Sequence, residues 1–465
     1  MEEHMILTSS YGLHFKGSES AIKNTSAYYA SAVKYLIPVV RVNWDAVEPI
    51  SYSKGRVRLI ECLIHSNKNN RAVYNFDDRF YKFPIYLRRA AIADAIGKVT
   101  TYFKLFELWI KNECEGVMPQ IDTCDHLMPC FFNGNMFNWD QLGRTAQVKV
   151  YANNDWVWRE IRLSKTDIRY LNSRKRLHNA KLSAPVIEKK HGHYQLRFTI
   201  QENVRLHHTP IFEQKICAVD LGVGTDAVCS VLDSKGTVLS REFINFGREK
   251  DSVSNALHRV SDFQRYHGSH DSGRLWNLAK RRNLNHARLI ANAIVDYAMA
   301  NDCHTIVFEH LDTAGKKKGS KKQKLVMWKH RDVQNTAERL AHRYGMRISR
   351  VCAWNTSKLA YDGSGNVKRG SDVPRSEKTE SMIRHSIYKG RMEERVPYDI
   401  CQFMNGKLYN CDLNASYNIG ARYFIRELLK ALPQIQAEVP DLGSGSSRTL
   451  ADLWQLNTAI GTAVS

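Results

Sequence analysis

Hydrophobic positions change period along the chain, and each change marks a different kind of element. Ile6–Phe15 alternates like a strand. From about Glu19 to Glu115 the period is helical. The clearest helix opens at Pro84, whose fixed φ suits a first turn, and runs IYLRRAAIADAIGKVTTYFKLFELWI. Ala91, Ala95, Val99, Tyr102 and Phe106 form its apolar face. From about Leu127 to His208 the period returns to two. Gln147–Tyr151 and Trp156–Leu163 read as a hairpin across Asn153-Asn154-Asp155, and Tyr194–Ile200 sets Leu196, Phe198 and Ile200 on one side. A helical block is therefore inserted after the first strand of a β-domain that resumes later.

After about Glu213 the texture changes again. Lys215–Leu221, Asp226–Leu232 and Thr237–Phe246 read as three consecutive strands, the last two separated by a turn at Ser234-Lys235-Gly236. A helix follows with the stripe Ala287, Ile290, Ala291, Ile294 and Tyr297. Then come a buried strand, His304–Phe308, and a helix bearing Val333, Ala337, Leu340, Ala341 and Tyr344 that Gly345 can end. Met346–Val351 reads as a strand. Asn355–Asn410 is turn-rich. Leu413–Leu429 is helical, with Tyr417, Ala421, Phe424, Ile425 and Leu428 as its face. The tail beyond Pro433 reads as poorly structured.

A chain of 465 residues holds about three domains at roughly 150 residues each. The charge balance adds more. Lys plus Arg is 68 against 47 Asp plus Glu, a net +21, which points to a polyanionic partner. A membrane surface would need an anchor or a basic amphipathic helix, and neither is visible. No run approaches the ~20 apolar residues of a membrane span, and the start has no basic-then-apolar signal. The ten cysteines are scattered, several in apolar runs, as expected of reduced thiols in a cytoplasmic protein.

Several cations are candidate nucleic-acid contacts. Arg88 and Arg89 lie near the start of the long helix, and Lys280 and Arg281 on the polar face of a later one. Lys316, Lys317, Lys318, Lys321 and Lys322 belong to the basic run GKKKGSKKQK. Arg384, Arg391 and Arg395 lie in the turn-rich segment, with Tyr361, Tyr388 and Tyr398 interleaved. Cations alternating with rings suit sequence-tolerant binding of a single strand. Simple solvation of each charge is the competing explanation.

Three acidic residues stand out by position. Asp220 ends the strand ICAVDLG, Glu309 ends TIVFEHL, and Asp412 opens a helix in YNCDLNAS. Singly, each would serve as a turn former or cap. Jointly they fit an RNase H-like order: three adjacent strands, a helix, a strand and a late helix. In that order the three carboxylates converge at one edge of the sheet. Two hard divalent cations ~3.5–4 Å apart would find suitable oxygen donors there, for phosphodiester hydrolysis. Three like charges repel and would settle when metal binds.

The strings CAVDLGVGTDAVCSVLD, VFEHLD and YNCDLNASYNIGAR resemble the first, second and third RuvC motifs of TnpB proteins. These are transposon-encoded RNA-guided nucleases from which type V CRISPR effectors descend. FPIYLRRAAIADAIGKV, GKKKGSKKQKLVMW and AHRYGMRISRVCAWNTSKLAYDGSG resemble segments of one TnpB subgroup, so the likeness runs from about Asn75 to Leu432. It implies that Asp220, Glu309 and Asp412 are the catalytic, metal-binding residues, holding two Mg²⁺ or Mn²⁺ ions. It implies a mixed α/β and all-β multidomain fold. The expected parts are an oligonucleotide-binding-like β-barrel wedge at 1–18 and 119–213, interrupted by a helical recognition lobe at 19–118. A RuvC nuclease follows at 214–354 and 411–432, with a target-nucleic-acid-binding insertion at 355–410 and a tail at 433–465.

The implied function is RNA-guided cleavage of DNA at a single RuvC site. The expected partners are a guide RNA, a double-stranded target beside a short recognition motif, and the displaced strand of the opened duplex. A monomer is expected, in the cytoplasm of a bacterium and on the nucleoid when DNA-bound. One departure is clear. The family's zinc ribbon uses two CxxC pairs, whereas Cys401 and Cys411 lack that spacing. Cys352, His385, Cys401 and Cys411 could supply four ligands, but a zinc-free remnant held by packing is the expectation. Cys124, His126 and Cys130 read as loop and core residues. The alternatives are a guide-dependent transcriptional regulator that does not cut, which would be expected to have lost acidic residues, and a structure-specific resolvase without RNA, which would need little beyond the nuclease domain.

Overall fold

The computed structural model describes residues 3–121, 127–140, 143–190, 192–222, 224–268, 271–311, 329–388, 391–432 and 447–464. The fold is mixed α/β and multidomain. The chain divides into one unit of Ile6–Asn203 and another of Met1–Met5 with Val204–Ser465.

The first unit is a seven-stranded sheet with helices inserted after its first strand. The strands are β1 (Glu3–Lys16), β2 (Phe137–Asn138), β3 (Thr145–Ala152), β4 (Asp155–Leu163), β5 (Lys181–Leu182), β6 (Val186–Lys190) and β7 (His193–Leu206). Their order is β2-β3-β4-β1-β7-β5, with β6 also on β7. The expected hairpin joins β3 to β4. Asn153 and Asn154 hold φ of 52° and 61° there, the left-handed pair that a two-residue hairpin turn requires. Between β1 and β2 lie α1 (Glu19–Val42), α2 (Ser53–Ile64) and α3 (Ile85–Lys111). Leu13, Val148, Leu196 and Phe198 of the sheet share one core with Tyr29, Leu36, Ala91 and Val99 of the helices. The helix α4 (Lys165–His178) is capped by Ser164. Asp167 in its first turn accepts from the Tyr11 hydroxyl at 2.7 Å and the His14 amide at 2.9 Å, fastening the helix to β1.

The second unit is built on β8 (Lys215–Asp220), β9 (Ala227–Asp233), β10 (Val238–Ile244), β11 (Thr305–His310) and β12 (Arg347–Cys352). Their order is β10-β9-β8-β11-β12. A short loop and a tight turn make the first three antiparallel, whereas the crossovers to β11 and β12 make those pairs parallel. The first crossover contains α5 (Gly247–His267) and α6 (Gly273–Ala300), and α7 (His330–Arg343) lies in the second. Cys217, Val219, Cys229, Ile306 and Phe308 bury one sheet face under Ala287, Ile290, Ile294, Ala337 and Ala341.

The insertion contains a small sheet of β13 (Lys368–Arg369), β16 (Ile400–Gln402) and β17 (Leu408–Asn410), and a hairpin of β14 (Arg384–Tyr388) with β15 (Arg391–Arg395). The helix α8 (Cys411–Ala431) then covers the other face of the main sheet, where Ile216, Ala218, Val228, Leu232 and Val307 meet Tyr417, Phe424 and Leu428. Gly420 permits the approach: a Cβ there would stand 2.9 Å from Leu232 Cδ1. The tail reading needs correction, because Leu450–Val464 forms a helix, α9. Leu450, Leu453 and Leu456, one turn apart, are buried against the α8 side of the core. The Asp452 carboxylate caps its start, accepting from the Thr449 amide at 2.6 Å and hydroxyl at 2.9 Å. Among the described residues no helix is long and apolar enough to cross a membrane.

Candidate active site

Strand register brings the first two acids together. β11 pairs in parallel with β8 from Thr305↔Ile216 to Phe308↔Val219. Glu309 and Asp220 are the next residues on these neighbouring strands. Side chains alternate between faces, and Ile216, Ala218 and Val307 belong to the α8-covered face. The same parity puts Asp220 and Glu309 on that face. Asp412 is the second residue of α8. The Asn410 side chain caps this helix, accepting from the Asp412 and Leu413 amides at 3.0 Å each, so the start of α8 is fixed where β17 ends.

Each of the three carboxyls lies above the usual carboxylate range. Burial is the largest cause for Asp220, followed by the charges of Glu309 and Asp412, with Arg369 opposing. Asp412 is raised by burial and opposed by Arg369. Glu309, only 8% exposed, is raised by burial and opposed by the Thr356 hydroxyl and the Arg422 charge. The two arginines are held by main chain. Arg422 Nη1 donates to the Cys352 and Trp354 carbonyls at 2.7 and 2.8 Å, and Nε to the Arg448 carbonyl at 3.1 Å. Arg369 donates to the Ser357 carbonyl, while its Nε is buried without a hydrogen-bond partner.

Residues that sequence reasoning missed keep this centre in place. Thr356, 2% exposed, donates to Glu309 Oε1. Its loop is stitched to α8 by two asparagines one turn apart. Asn414 accepts from the Tyr361 amide and donates to the Leu359 carbonyl, both at 2.8 Å. Asn418 donates to the Thr356 and Leu359 carbonyls at 2.9 Å each. Gln334 of α7 donates to the Glu309 carbonyl at 2.9 Å. The signal was present as the polar pair in DLNASYNIG, on a face that is otherwise apolar.

Among the described residues, no three Cys, His, Asp or Glu side chains form a ready-made cage for one ion. The donor set nonetheless suits hard divalent cations, because three oxygen ligands share a buried excess of negative charge. Cys401 and Cys411 are buried with their thiols in contact, and Cys352 is exposed.

The candidate nucleic-acid cations fall in different places. Arg88 is 4% exposed and pairs with Glu61 at 3.1 Å and Asp77 at 3.6 Å. Arg89 also meets Glu61, at 2.9 Å, but is half exposed. Lys280 and Arg281 are exposed on α6. Arg384 stands opposite Arg395, and Arg391 opposite Tyr388, in the β14–β15 hairpin. Lys316, Lys317, Lys318, Lys321 and Lys322 lie outside the described residues.

Comparison with known proteins gives limited matches. The Aq_aa04 family matches residues 8–152. No curated protein matches the chain. Among solved structures, the chain is similar to a Cas12f1 in complex with single-guide RNA and target DNA. The identity is 13%, the coverage 90% of this chain and 98% of that one, and the TM-score 0.45. A Cas12i in complex with crRNA and double-stranded DNA shares 11% identity over 89% of this chain and 66% of that one, TM-score 0.41. C2c1 of Alicyclobacillus acidoterrestris with single-guide RNA shares 10% over 88% and 68%, TM-score 0.40.

Proposed function

We propose that the protein is an RNA-guided, metal-dependent DNA endonuclease of the TnpB or compact type V kind. One observation carries the reading: Asp220, Glu309 and Asp412, distant in sequence, gather at one end of the β10-β9-β8-β11-β12 sheet, and Asp220 feels the charge of both others. The strand order also supports an RNase H-like, RuvC-type domain. Asp220, Glu309 and Asp412 would hold two Mg²⁺ or Mn²⁺ ions, which supply charge neutralisation and an activated water for phosphodiester hydrolysis. Asp220, influenced by both other acids, would be one of the residues holding them. Thr356 orients Glu309, and the cap by Asn410 orients Asp412. Arg369 offsets part of the carboxylate charge.

The seven-stranded sheet with its helical block supports a wedge and recognition lobe for guide RNA. Base pairing supplies sequence specificity, while the protein reads duplex shape and a short flanking motif. The hairpin Arg384–Arg395 is positioned by sequence beside the nuclease elements and would steer the displaced strand. The test is purification of the chain with its RNA, sequencing of that RNA, and assay of a matched duplex. Mg²⁺-dependent cutting at the matched site supports the reading. RNA-free protein that cuts equally well overturns the guided reading, and guided binding without any cutting leaves the regulator.

A further inference from the structure

Beside α8, but distinct from the acids, lies a pocket of about 420 Å³ lined by Arg241, Tyr361, Tyr409, Tyr417 and Trp454. That volume lies toward the small end of ligand pockets, about 300–1,000 Å³. Its walls are set by hydrogen bonds and ring contacts. The Tyr409 and Tyr417 hydroxyls are 3.0 Å apart, and Arg241 Nη1 reaches both at 3.4 Å. Tyr361 meets the Tyr409 and Tyr417 rings edge-on at 5.3 and 5.2 Å. Lys407 donates to the Tyr361 hydroxyl at 2.7 Å. Trp454, 41% exposed, donates from Nε1 to the Gly236 carbonyl at 3.2 Å, which fixes the plane of its ring. Residue 236 must be glycine for this: its φ is +81°, and a Cβ would lie 2.9 Å from Trp454 Nε1.

The chemistry narrows the ligand. Flat rings with an oriented indole favour a planar π-system. Arg241 repels cations and attracts an anion, and it sits exposed on the edge strand β10. A nucleotide combines such a planar ring with an anionic group. The pocket also shares its frame with the acids: Tyr409 precedes Asp412 by three residues, and Tyr417 follows it by five on the same helix.

We propose that this pocket receives one unstacked nucleotide of a single strand, its base against Trp454 and the tyrosines and its phosphate drawn to Arg241. The inference rests on the nuclease reading, in which that strand passes the acids, and the lodged base would set the strand's register there.

The test uses the full-length protein in EDTA, titrated with fluorescein-labelled oligothymidylate, with anisotropy as the readout. Stacking on an aromatic side chain predicts that Trp454→Ala weakens binding by about 5- to 100-fold, whereas Trp454→Phe keeps most of the affinity. Arg241→Ala should weaken binding and lower its salt dependence. Unlabelled oligothymidylate should quench indole emission in the native protein more than in Trp454→Phe. Equal affinity in native, Trp454→Ala and Arg241→Ala proteins, or equal quenching in native and Trp454→Phe, overturns the pocket. Quenching by thymidine monophosphate but not by the oligonucleotide assigns a free-nucleotide site and overturns the strand. Native protein that passes these tests yet never cuts a guided duplex retains the pocket while the nuclease reading fails. Native protein that cuts while Trp454→Ala binds normally has the reverse outcome.

Discussion

Each unit holds a cluster of charge, and the two treat it oppositely. In the helical block, Arg88 lies between Glu61 and Asp77, Asp77 also meets His65 at 2.7 Å, and Arg89 closes on Glu61. Every carboxylate there faces a cation, and the cluster closes on itself. In the second unit Asp220 feels the charges of both Glu309 and Asp412, and Arg369 and Arg422 spend donors on main-chain carbonyls. One cluster is complete without a ligand; the other keeps a surplus of negative charge that a cation would relieve. A buried arginine is therefore no guide to binding until its partners are known, whereas a buried carboxyl raised by neighbouring carboxylates is a functional signal.

The largest test of this contrast is chemical. Asp220→Ala, Glu309→Ala and Asp412→Ala should each remove metal-dependent cleavage, by about 10³-fold or more if several kcal/mol of metal catalysis is lost. Guided binding, measured by filter retention on the same proteins, should survive. Robust Mg²⁺-dependent cutting by any one variant would remove that residue from the centre.

Breaking the closed cluster should act on the fold instead. Arg88→Ala leaves Glu61 and Asp77 without their shared cation and should cost about 3 kcal/mol, read as a lower urea midpoint. Loss of RNA affinity with unchanged stability would restore Arg88 as a phosphate contact.

A smaller effect appears with pH. The Asp220 carboxyl is raised in the folded state, so the folded protein holds that proton more tightly than the unfolded chain. Without metal, Asp220 makes stability fall as pH rises above the ordinary carboxylate value of about 4, until the raised value is passed. Asp220→Asn should flatten this slope. It should also stabilise the metal-free protein at neutral pH, by about 1.4 kcal/mol for every tenfold by which folding tightens the grip on that proton. Thermal melts across pH, with and without Mg²⁺, decide it; identical slopes for both proteins would contradict the raised carboxyl.

Thr356→Val should have the mildest consequence. The hydroxyl lowers Glu309, so its loss raises that carboxyl further. The acid limb of cleavage against pH should move upward, with about 1 kcal/mol lost below it. An unmoved limb would mean that Thr356 does not tune Glu309.

The sequence made local order readable and left charge pairing hidden. Strand alternation, Pro84 and the Asn153-Asn154 turn announced their elements, because periodicity and turn chemistry act over a few residues. The places of the acids were legible because each lies at or near the end or start of an element. Arg88 was not: its partner Glu61 lies 27 residues away, on another helix. The tail helix was missed because a Gly/Ser run precedes it, although Thr449 and Asp452 spell a start signal. Arg422, Asn414 and Asn418 gave only unexplained polarity on an apolar helix.

Asn414 and Asn418 also have a mechanical consequence. Four hydrogen bonds tie the segment from Thr356 to Tyr361 to the first two turns of α8, and Thr356 in turn grips Glu309. A tug on the insertion cannot bend this joint gently; it must either move loop, helix and two acids as one rigid piece or tear several bonds together. The Tyr361 amide therefore belongs with the slowest to exchange its hydrogen for deuterium.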